Sequence, residues 1–238
     1  MSQIPWLEED LEFPDISSAL KDPDGLLAAG GDLSIPRLIK AYQQGIFPWF
    51  NDDQPIMWWS PNPRCVLFPE KVHISKSLRK KLNKNLFTVT FDKDFEHVIQ
   101  YCADSRQATT GTWITDDMQE AYIALHEQGI AHSVEVWMDD ELVGGLYGLA
   151  LGRCFFGESM FSITTDASKV AFVYLCNQLR EWGYAIIDCQ VENPHLFTLG
   201  AENIRRSEFQ TILEDNIHKK PKPHDWVFSK SWNWVKGQ

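Results

Sequence analysis

Two polar residues lie two positions apart at the end of an apolar run, IIDCQ, which contains Asp188 and Gln190. In a strand their side chains would share one face. A carboxylate within apolar sequence needs a partner or a task. We expect Asp188 to accept the proton of an attacking amine, or to orient Gln190 so that it holds the amine against a carbonyl carbon. The alternative is a structural Asp188 that caps the following turn.

A third polar residue, Glu158, follows Gly157 in the run LVGGLYGLALGRCFFGESMFS, residues 142–162. This run predicts a buried β-hairpin, with Glu158 at its open end. A long apolar helix follows at 167–182, and then the strand of Asp188. The layout indicates an acyl-transfer site. The alternative for Glu158 is a carboxylate stabilised by a helix N-terminus.

The order of elements resembles the N-acetyltransferase superfamily fold, a mixed α/β (α+β) sheet that a bulge splays open. Gly144 and Gly145 are where we predict the bulge. Coenzyme A users of this fold bind pyrophosphate with a glycine-rich loop before the long helix. Here that stretch has no paired glycines and carries Glu158 and Asp166, which would repel a pyrophosphate. We therefore expect a different acyl donor.

The sequence divides into a small N-terminal lobe, residues 1–64, and an α/β domain, residues 65–238. The lobe is rich in Pro, Gly and Trp, with one helix predicted after Ser34. The domain has predicted helices at 75–84, 94–102, 116–128 and 167–182, and one from 194. Its predicted strands are 66–68, 87–91, 132–137, 142–149, 154–157 and 185–191.

Bulk composition excludes several classes of protein. The chain has 238 residues and a net charge of -11, which argues against general coating of nucleic acid. Five scattered cysteines favour reduced thiols over a disulfide framework. No spacing suggests a metal site, and no signal peptide or membrane span is apparent. We expect a cytoplasmic protein without a metal.

Longer motifs resemble one family, the bacterial leucyl/phenylalanyl-tRNA–protein transferases. The matching runs are GLLAAGGDLS, AYQQGIFPWF, PIMWWSPNPR, GTWIT, AHSVEVW, LVGGLYG, FGESMFS, ASK and IDCQ with HLFTLGA. The resemblance implies a monomeric enzyme without a cofactor. It would move Leu or Phe, with Met a further candidate, from tRNA to an N-terminal Arg or Lys of a protein. The new N-terminus would mark that protein for degradation by the N-end rule.

The resemblance also implies roles for residues. Asp188, Gln190 and Glu158 would be catalytic, Glu158 binding either the donor's α-ammonium or the acceptor's Arg or Lys side chain. The Leu or Phe side chain would lie against Leu146, Phe155, Phe172, Leu175 and Leu179, for which plain core packing is the alternative. Tyr42, Trp49 and Trp113 would frame the 3′-terminal adenosine, with interdomain packing as the alternative.

One dense basic stretch stands out in an acidic chain. Lys76, Arg79, Lys80 and Lys84 would form one stripe of a helix and contact tRNA phosphates. The alternative is a solvated helix face.

Two other functions are compatible with these features. A coenzyme-A-dependent N-acetyltransferase would share the fold, but this sequence lacks the glycine-rich phosphate-binding loop that such an enzyme needs. A non-catalytic tRNA-binding protein would leave Asp188 and Gln190 unexplained.

Overall fold

Two β-sheets and seven α-helices make up the part of the chain that the computed structural model describes, residues 4–107 and 113–228. The small sheet has four short strands in the order β1-β2-β4-β3. They are β1 Trp6–Leu7, β2 Leu26–Gly30, β3 Phe47–Pro48 and β4 Met57–Trp59. Helix α1, Ile35–Gln43, packs beside them and presents Leu38, Ala41 and Tyr42 to the interior.

The large sheet has seven strands in the order β11-β5-β10-β9-β8-β7-β6. They are β5 Arg64–Leu67, β6 Thr88–Phe91, β7 Ala131–Met138, β8 Glu141–Leu151, β9 Cys154–Ser162, β10 Ile186–Gln190 and β11 Glu202–Ile204. Every neighbouring pair is antiparallel except β9 and β10, which are parallel. The predicted mixed α/β class is confirmed.

Helices cover both faces of the large sheet. They are α2 Lys76–Leu82, α3 Phe95–Gln107, α4 Asp116–Glu127, α5 Ala167–Trp182, α6 Pro194–Phe197 and α7 Arg206–Asn216. Side chains alternate along β8, so that Leu146 joins the core layer of α5 while Tyr147 joins that of α3 and α4. Helix α4 begins as predicted, because the Thr115 hydroxyl accepts a hydrogen bond from the Met118 N–H at 3.2 Å.

The sheet opens where β9 and β10 part. Their pairing runs from Ile186 with Cys154 to Asp188 with Phe156 and goes no further. On the other side of β9, Tyr147 pairs with Ser159 but Gly148 pairs with Gly157. Glu158 is therefore the extra residue of a β-bulge, and a bulge bends the strand that carries it.

The predicted bulge at Gly144 and Gly145 is therefore not the one that opens the sheet. A second irregularity does lie beside Gly144, where Val136 pairs with Gly144 but Trp137 pairs with Leu142. Gly144 instead allows α5 to approach β8, since a Cβ there would lie 2.5 Å from the Ala167 Cβ. Strand β9 also continues past the predicted end at 157, so Glu158 lies inside a strand and not at a helix entrance.

Other differences concern short or C-terminal elements. The strands of the small sheet and β11 were not predicted, because runs of two to five residues carry little periodicity. Helix α7, with eleven residues, was also not predicted. Helix α2 ends at Leu82, which leaves Lys84 beyond it. The boundary after residue 64 stays a prediction; one hydrophobic cluster joins Trp58 of the small sheet to Tyr122 and Tyr147.

Within the described residues, no helix is long and apolar enough to cross a membrane. The same residues contain no group of three His, Cys, Asp or Glu side chains placed to hold a metal ion.

Candidate active site

A cavity of about 170 Å³ lies at the opening between β9 and β10. Its apolar part, here called the apolar end, is lined by Leu146, Phe155, Met160, Phe172, Leu175, Ile187 and Leu196. Polar side chains stand at the point where the strands part, namely Glu158, Ser159, Gln190 and Asn193. Phe47, Pro48, Trp49 and Trp113 form an aromatic wall from the small sheet and the loop before α4. Such a cavity can enclose an apolar side chain while polar groups hold its attached atoms.

The apolar end contains four of the five predicted pocket residues. Leu146 and Phe155 come from the hairpin, while Phe172 and Leu175 come from one face of α5. Leu179 does not line the cavity; it is fully buried in the core. The reason is helical geometry, because a residue four positions after Leu175 lies ~6 Å further along the axis.

The aromatic wall contains two of the three predicted adenosine contacts. Trp49 is 41% exposed, so its ring has a free face for a planar ligand. It is braced by Trp59, whose Nε1–H donates to the Trp49 carbonyl at 2.6 Å. The structure contradicts the predicted contact of Tyr42 with the adenosine. Tyr42 is fully buried, packs against Phe156 and lies outside the cavity lining. A base cannot stack on it.

Tyr42 instead contacts Glu158. Its hydroxyl lies 2.6 Å from Glu158 Oε1, and the Tyr122 hydroxyl lies 3.2 Å from Oε2. The two tyrosine hydroxyls also form a short hydrogen bond to each other. Gln190 Nε2 donates to Glu158 Oε1 at 2.8 Å. The carboxyl group is thus held from three directions at the edge of the cavity.

Burial raises the pKa of Glu158 to about 7, even though the hydrogen bonds from Tyr42, Gln190 and Tyr122 favour its ionised form. The negative charge of Asp188 contributes to this rise. Burial and the Glu158 charge raise the pKa of both Tyr42 and Tyr122 well above 10, so both phenols keep their protons. Glu158 is therefore a group that can exchange a proton near neutral pH.

Asp188 is placed differently from its prediction. It is fully buried, lies outside the cavity lining, and accepts from Arg64 Nε at 2.8 Å and Arg64 Nη2 at 2.6 Å. This bidentate ion pair fixes the carboxylate. Direct acceptance of an amine proton by Asp188 does not fit this geometry.

Gln190 is held by Asp188 through the backbone. The Gln190 N–H donates to Asp188 Oδ1 at 2.9 Å, and Gln190 has a φ of +65°. The pairing register with β5 also shifts between these two residues. The regular alternation of a strand is lost here, which is why Asp188 faces Arg64 while Gln190 faces Glu158 and the cavity. The turn-capping alternative describes Asp188 better than the predicted proton acceptor does.

Comparison with known proteins identifies the relatives of this chain. The family model described as leucyl/phenylalanyl-tRNA protein transferase matches residues 66–214, and the model of the N-terminal domain of that transferase matches residues 31–62. Proteins named leucyl/phenylalanyl-tRNA–protein transferase include one from Hahella chejuensis, 57% identical over 226 residues, which are 95% of this chain and 96% of the relative. One from Cellvibrio japonicus is 57% identical over 94% of each chain. The chain belongs to the leucyl/phenylalanyl-tRNA–protein transferase family.

Solved structures add little to this assignment. A GCN5-related N-acetyltransferase from Kribbella flavida aligns with a TM-score of 0.37 at 14% identity, covering 68% of this chain and 58% of that one. A likeness this slight carries no weight beside the sheet topology.

The basic stretch of this transferase-family chain lies on α2 and just beyond it. Lys76, Lys80 and Lys84 are exposed and Arg79 is half-buried. Because α2 has only seven residues, Lys84 does not continue a helical stripe as predicted. Lys81, between them, is bound to Asp166 at 2.6 Å.

Two site residues of the transferase-family chain were missed from the sequence. Arg64 precedes the apolar run CVLF, and a charge there signals a buried partner, although the sequence does not say which. Tyr122 has the helical spacing of the apolar face of α4, and this spacing alone predicts a core side chain. Its hydroxyl needed a partner on burial, and that need was the available signal.

Proposed function

We propose that the cavity between β9 and β10 holds the aminoacyl group of Leu-tRNA or Phe-tRNA while an incoming amine attacks it. The chain is an aminoacyltransferase that moves Leu or Phe from aminoacyl-tRNA to the N-termini of proteins. We further propose that the acceptor proteins begin with Arg or Lys and that the transfer marks them for degradation by the N-end rule. The enzyme would act as a monomer in the cytoplasm, where aminoacyl-tRNA is found.

The observation that carries the proposal is the set of surfaces that line this one cavity. Leu146, Phe155, Phe172 and Leu175 supply buried apolar surface, Glu158 and Gln190 supply buried polar groups, and Trp49 and Trp113 are more exposed aromatic residues. An aminoacyl-adenosine has parts of the same three kinds: an apolar side chain, an amine and ester, and a base that can stack.

An apolar pocket suits an enzyme that accepts both Leu and Phe. Hydrophobic contacts discriminate by only about 1–3 kcal/mol per methylene, so two apolar side chains can share one site. The ester of aminoacyl-tRNA already lies uphill of a peptide. Holding the amine near the ester carbonyl therefore supplies much of the catalysis.

Coenzyme A is the donor that the helix entrance disfavours. Asp166 occupies the position before α5, where an N-acetyltransferase would bind pyrophosphate. It is engaged by Lys81 at 2.6 Å and Lys169 at 3.0 Å, so these lysines are already paired.

One assay separates the candidate functions. The protein is incubated with radiolabelled Leu-tRNA and with matched peptides that begin with Arg, Lys or Asp. Label on the Arg and Lys peptides alone supports the transfer reaction and the acceptor preference. Equal label on the Asp peptide would contradict the acceptor preference. Binding of tRNA without transfer would favour a non-catalytic tRNA-binding protein, and acetyl transfer from acetyl-CoA would favour an N-acetyltransferase.

A further inference from the structure

We propose that Glu158 accepts the proton of the acceptor's α-ammonium group, and that Tyr42 and Tyr122 are positioning residues that keep its carboxyl paired in both protonation states. The inference rests on the proposed function. It assigns to Glu158 the proton transfer that the sequence suggested for Asp188.

The geometry limits which carboxyl can act. Glu158 lines the cavity and contacts Gln190, whereas Asp188 is enclosed by Arg64 and lies outside the lining. A base must reach the proton that it removes, directly or through one water. Among the described residues that line the cavity, Glu158 is the only carboxyl group.

The proton count around Glu158 fits a carboxyl group that changes charge. Glu158, Tyr42 and Tyr122, here called the Glu158 triad, make three mutual oxygen–oxygen contacts. The two phenols bring two protons. When Glu158 is protonated, the third proton closes the cycle: Glu158 donates to Tyr122, Tyr122 to Tyr42, and Tyr42 to Glu158.

When Glu158 is ionised, the same two hydroxyls rotate and donate to its carboxylate. Oε1 then accepts from Tyr42 and Gln190, whereas Oε2 accepts from Tyr122 alone and keeps a lone pair for the ammonium group. Hydroxyl groups suit this role because each can donate and accept. A buried carboxyl with partners in only one state would lose a hydrogen bond each time that it exchanged a proton. The buried hydroxyls of Tyr42 and Tyr122 prevent this loss, because they can hydrogen-bond to the Glu158 carboxyl in both protonation states.

The pKa of Glu158 is close to the pKa of the α-ammonium group from which it would take a proton. An N-terminal α-ammonium has a pKa of ~7.7–8.0, and burial raises the pKa of Glu158 to about 7. A carboxylate with the ordinary value of 4.5 would take this proton far less readily. The other groups that face the Glu158 triad are Asp188 from β10, whose charge is paired with Arg64 from β5, and Tyr147 from β8.

The step balances as follows. The ammonium gives one proton to the Glu158 carboxylate, and the neutral nitrogen attacks the ester carbonyl carbon. A carbon–nitrogen bond forms and the bond from that carbon to the ribose oxygen breaks. The second amine proton passes to this oxygen, which leaves as the tRNA hydroxyl. Glu158 returns its proton to solvent after the product departs.

The test is a pH series of single-turnover transfer from Leu-tRNA to an Arg peptide, from about pH 6 to 9, with wild type, Glu158→Gln and Tyr122→Phe. Glu158→Gln should be slower by roughly 10²-fold near pH 7. The deficit should shrink above the pKa of the peptide amine, because solvent then deprotonates it. Tyr122→Phe should move the low-pH limb of the rate–pH profile to higher pH by roughly half to one unit. The reason is that a hydroxyl hydrogen bond is stronger to the ionised carboxylate than to the neutral carboxyl, so its loss raises the pKa of Glu158.

Tyr184→Phe is the matched control, because Tyr184 is buried but lies outside the Glu158 triad and the cavity lining. Its profile should follow the wild type. Two results would overturn the inference: a rate deficit of Glu158→Gln that is constant across pH, or a Tyr122→Phe profile whose low-pH limb does not shift. In either case transfer by the wild type would leave the proposed function intact. Absence of transfer by the wild type would instead overturn the proposed function.

Discussion

Arg64 and Asp188 form a fully buried ion pair between β5 and β10. Taking away one partner leaves an uncompensated charge in the core, which typically costs about 3–5 kcal/mol. Asp188→Asn should therefore lower the free energy of unfolding by about that amount in urea titrations.

Asp166→Asn is the matched control, because Asp166 is also ion-paired, with Lys81 and Lys169, but its side chain is 20% exposed. Its loss should be within about 1 kcal/mol. If Asp188→Asn proves no more destabilising than Asp166→Asn while its transfer rate collapses, Asp188 belongs with the reacting groups after all.

The raised pKa of Glu158 also predicts a pH dependence of stability. In the unfolded chain the carboxyl ionises near its ordinary pKa of 4.5, whereas in the folded protein it keeps its proton up to about 7. The folded state thus binds more protons between these values, so stability falls as pH rises through this window. The loss is about 3 kcal/mol, since one pKa unit corresponds to 1.36 kcal/mol.

Glu158→Gln removes this titration. Its stability relative to wild type should rise between pH 5 and pH 8 by up to about 3 kcal/mol, measured by urea unfolding at both values. A difference between the two proteins that does not change with pH would contradict a raised pKa for Glu158.

At the scale of elements, the hairpin β8–β9 depends on glycine where the strands pass closest. A Cβ on Gly148 would lie 2.1 Å from the Phe156 carbonyl oxygen and 2.7 Å from the Phe155 ring. Gly148→Ala should lower the free energy of unfolding by at least ~1–3 kcal/mol. It should also raise KM for Leu-tRNA, since the displaced Phe155 ring lines the apolar end of the cavity.

Gly157, the register partner of Gly148, provides the control for stability. A Cβ there would meet only the Asp188 carbonyl oxygen, at 3.7 Å, which is an ordinary contact. Gly157→Ala should keep the wild-type midpoint in thermal unfolding. Equal losses in both variants would mean that close packing at Gly148 does not decide the stability of the hairpin.

Helix α2 provides the exposed positive charge expected at the tRNA backbone. Replacing Lys76 and Lys80 together by Ala should raise KM for Leu-tRNA and lower the salt slope of log affinity by up to about 2, near 1 per phosphate contact. Lys219→Ala with Lys220→Ala removes the same charge elsewhere and should leave the slope unchanged. Identical effects of the two double variants would assign the change to net charge alone.

At the scale of the whole molecule, regular elements and apolar surfaces were predictable and polar pairings were not. The longer strands of the large sheet and the helices α3, α4 and α5 follow periodicity. The pocket residues Leu146, Phe155, Phe172 and Leu175 lie where the hairpin and α5 meet. Their order in the chain is enough to bring them together.

The partners of buried charges depend on contacts between distant segments. Arg64 is 124 residues from Asp188, and Tyr42 is 116 from Glu158. A one-residue bulge at Glu158 and a positive φ at Gln190 then decide which side chains enter the cavity. Strand alternation predicts neither irregularity, and so the sequence could not show that Glu158 lines the cavity while Asp188 is enclosed by Arg64.

The most direct test of the cavity's role is a complex with a non-hydrolysable phenylalanyl-adenosine analogue, solved at high resolution. The phenyl ring should lie among Leu146, Phe155, Phe172 and Leu175, with the adenine against Trp49 or Trp113 and the amide linkage beside Glu158 and Gln190. An analogue bound with its adenine in the apolar end, or bound outside the opening between β9 and β10, would contradict the account.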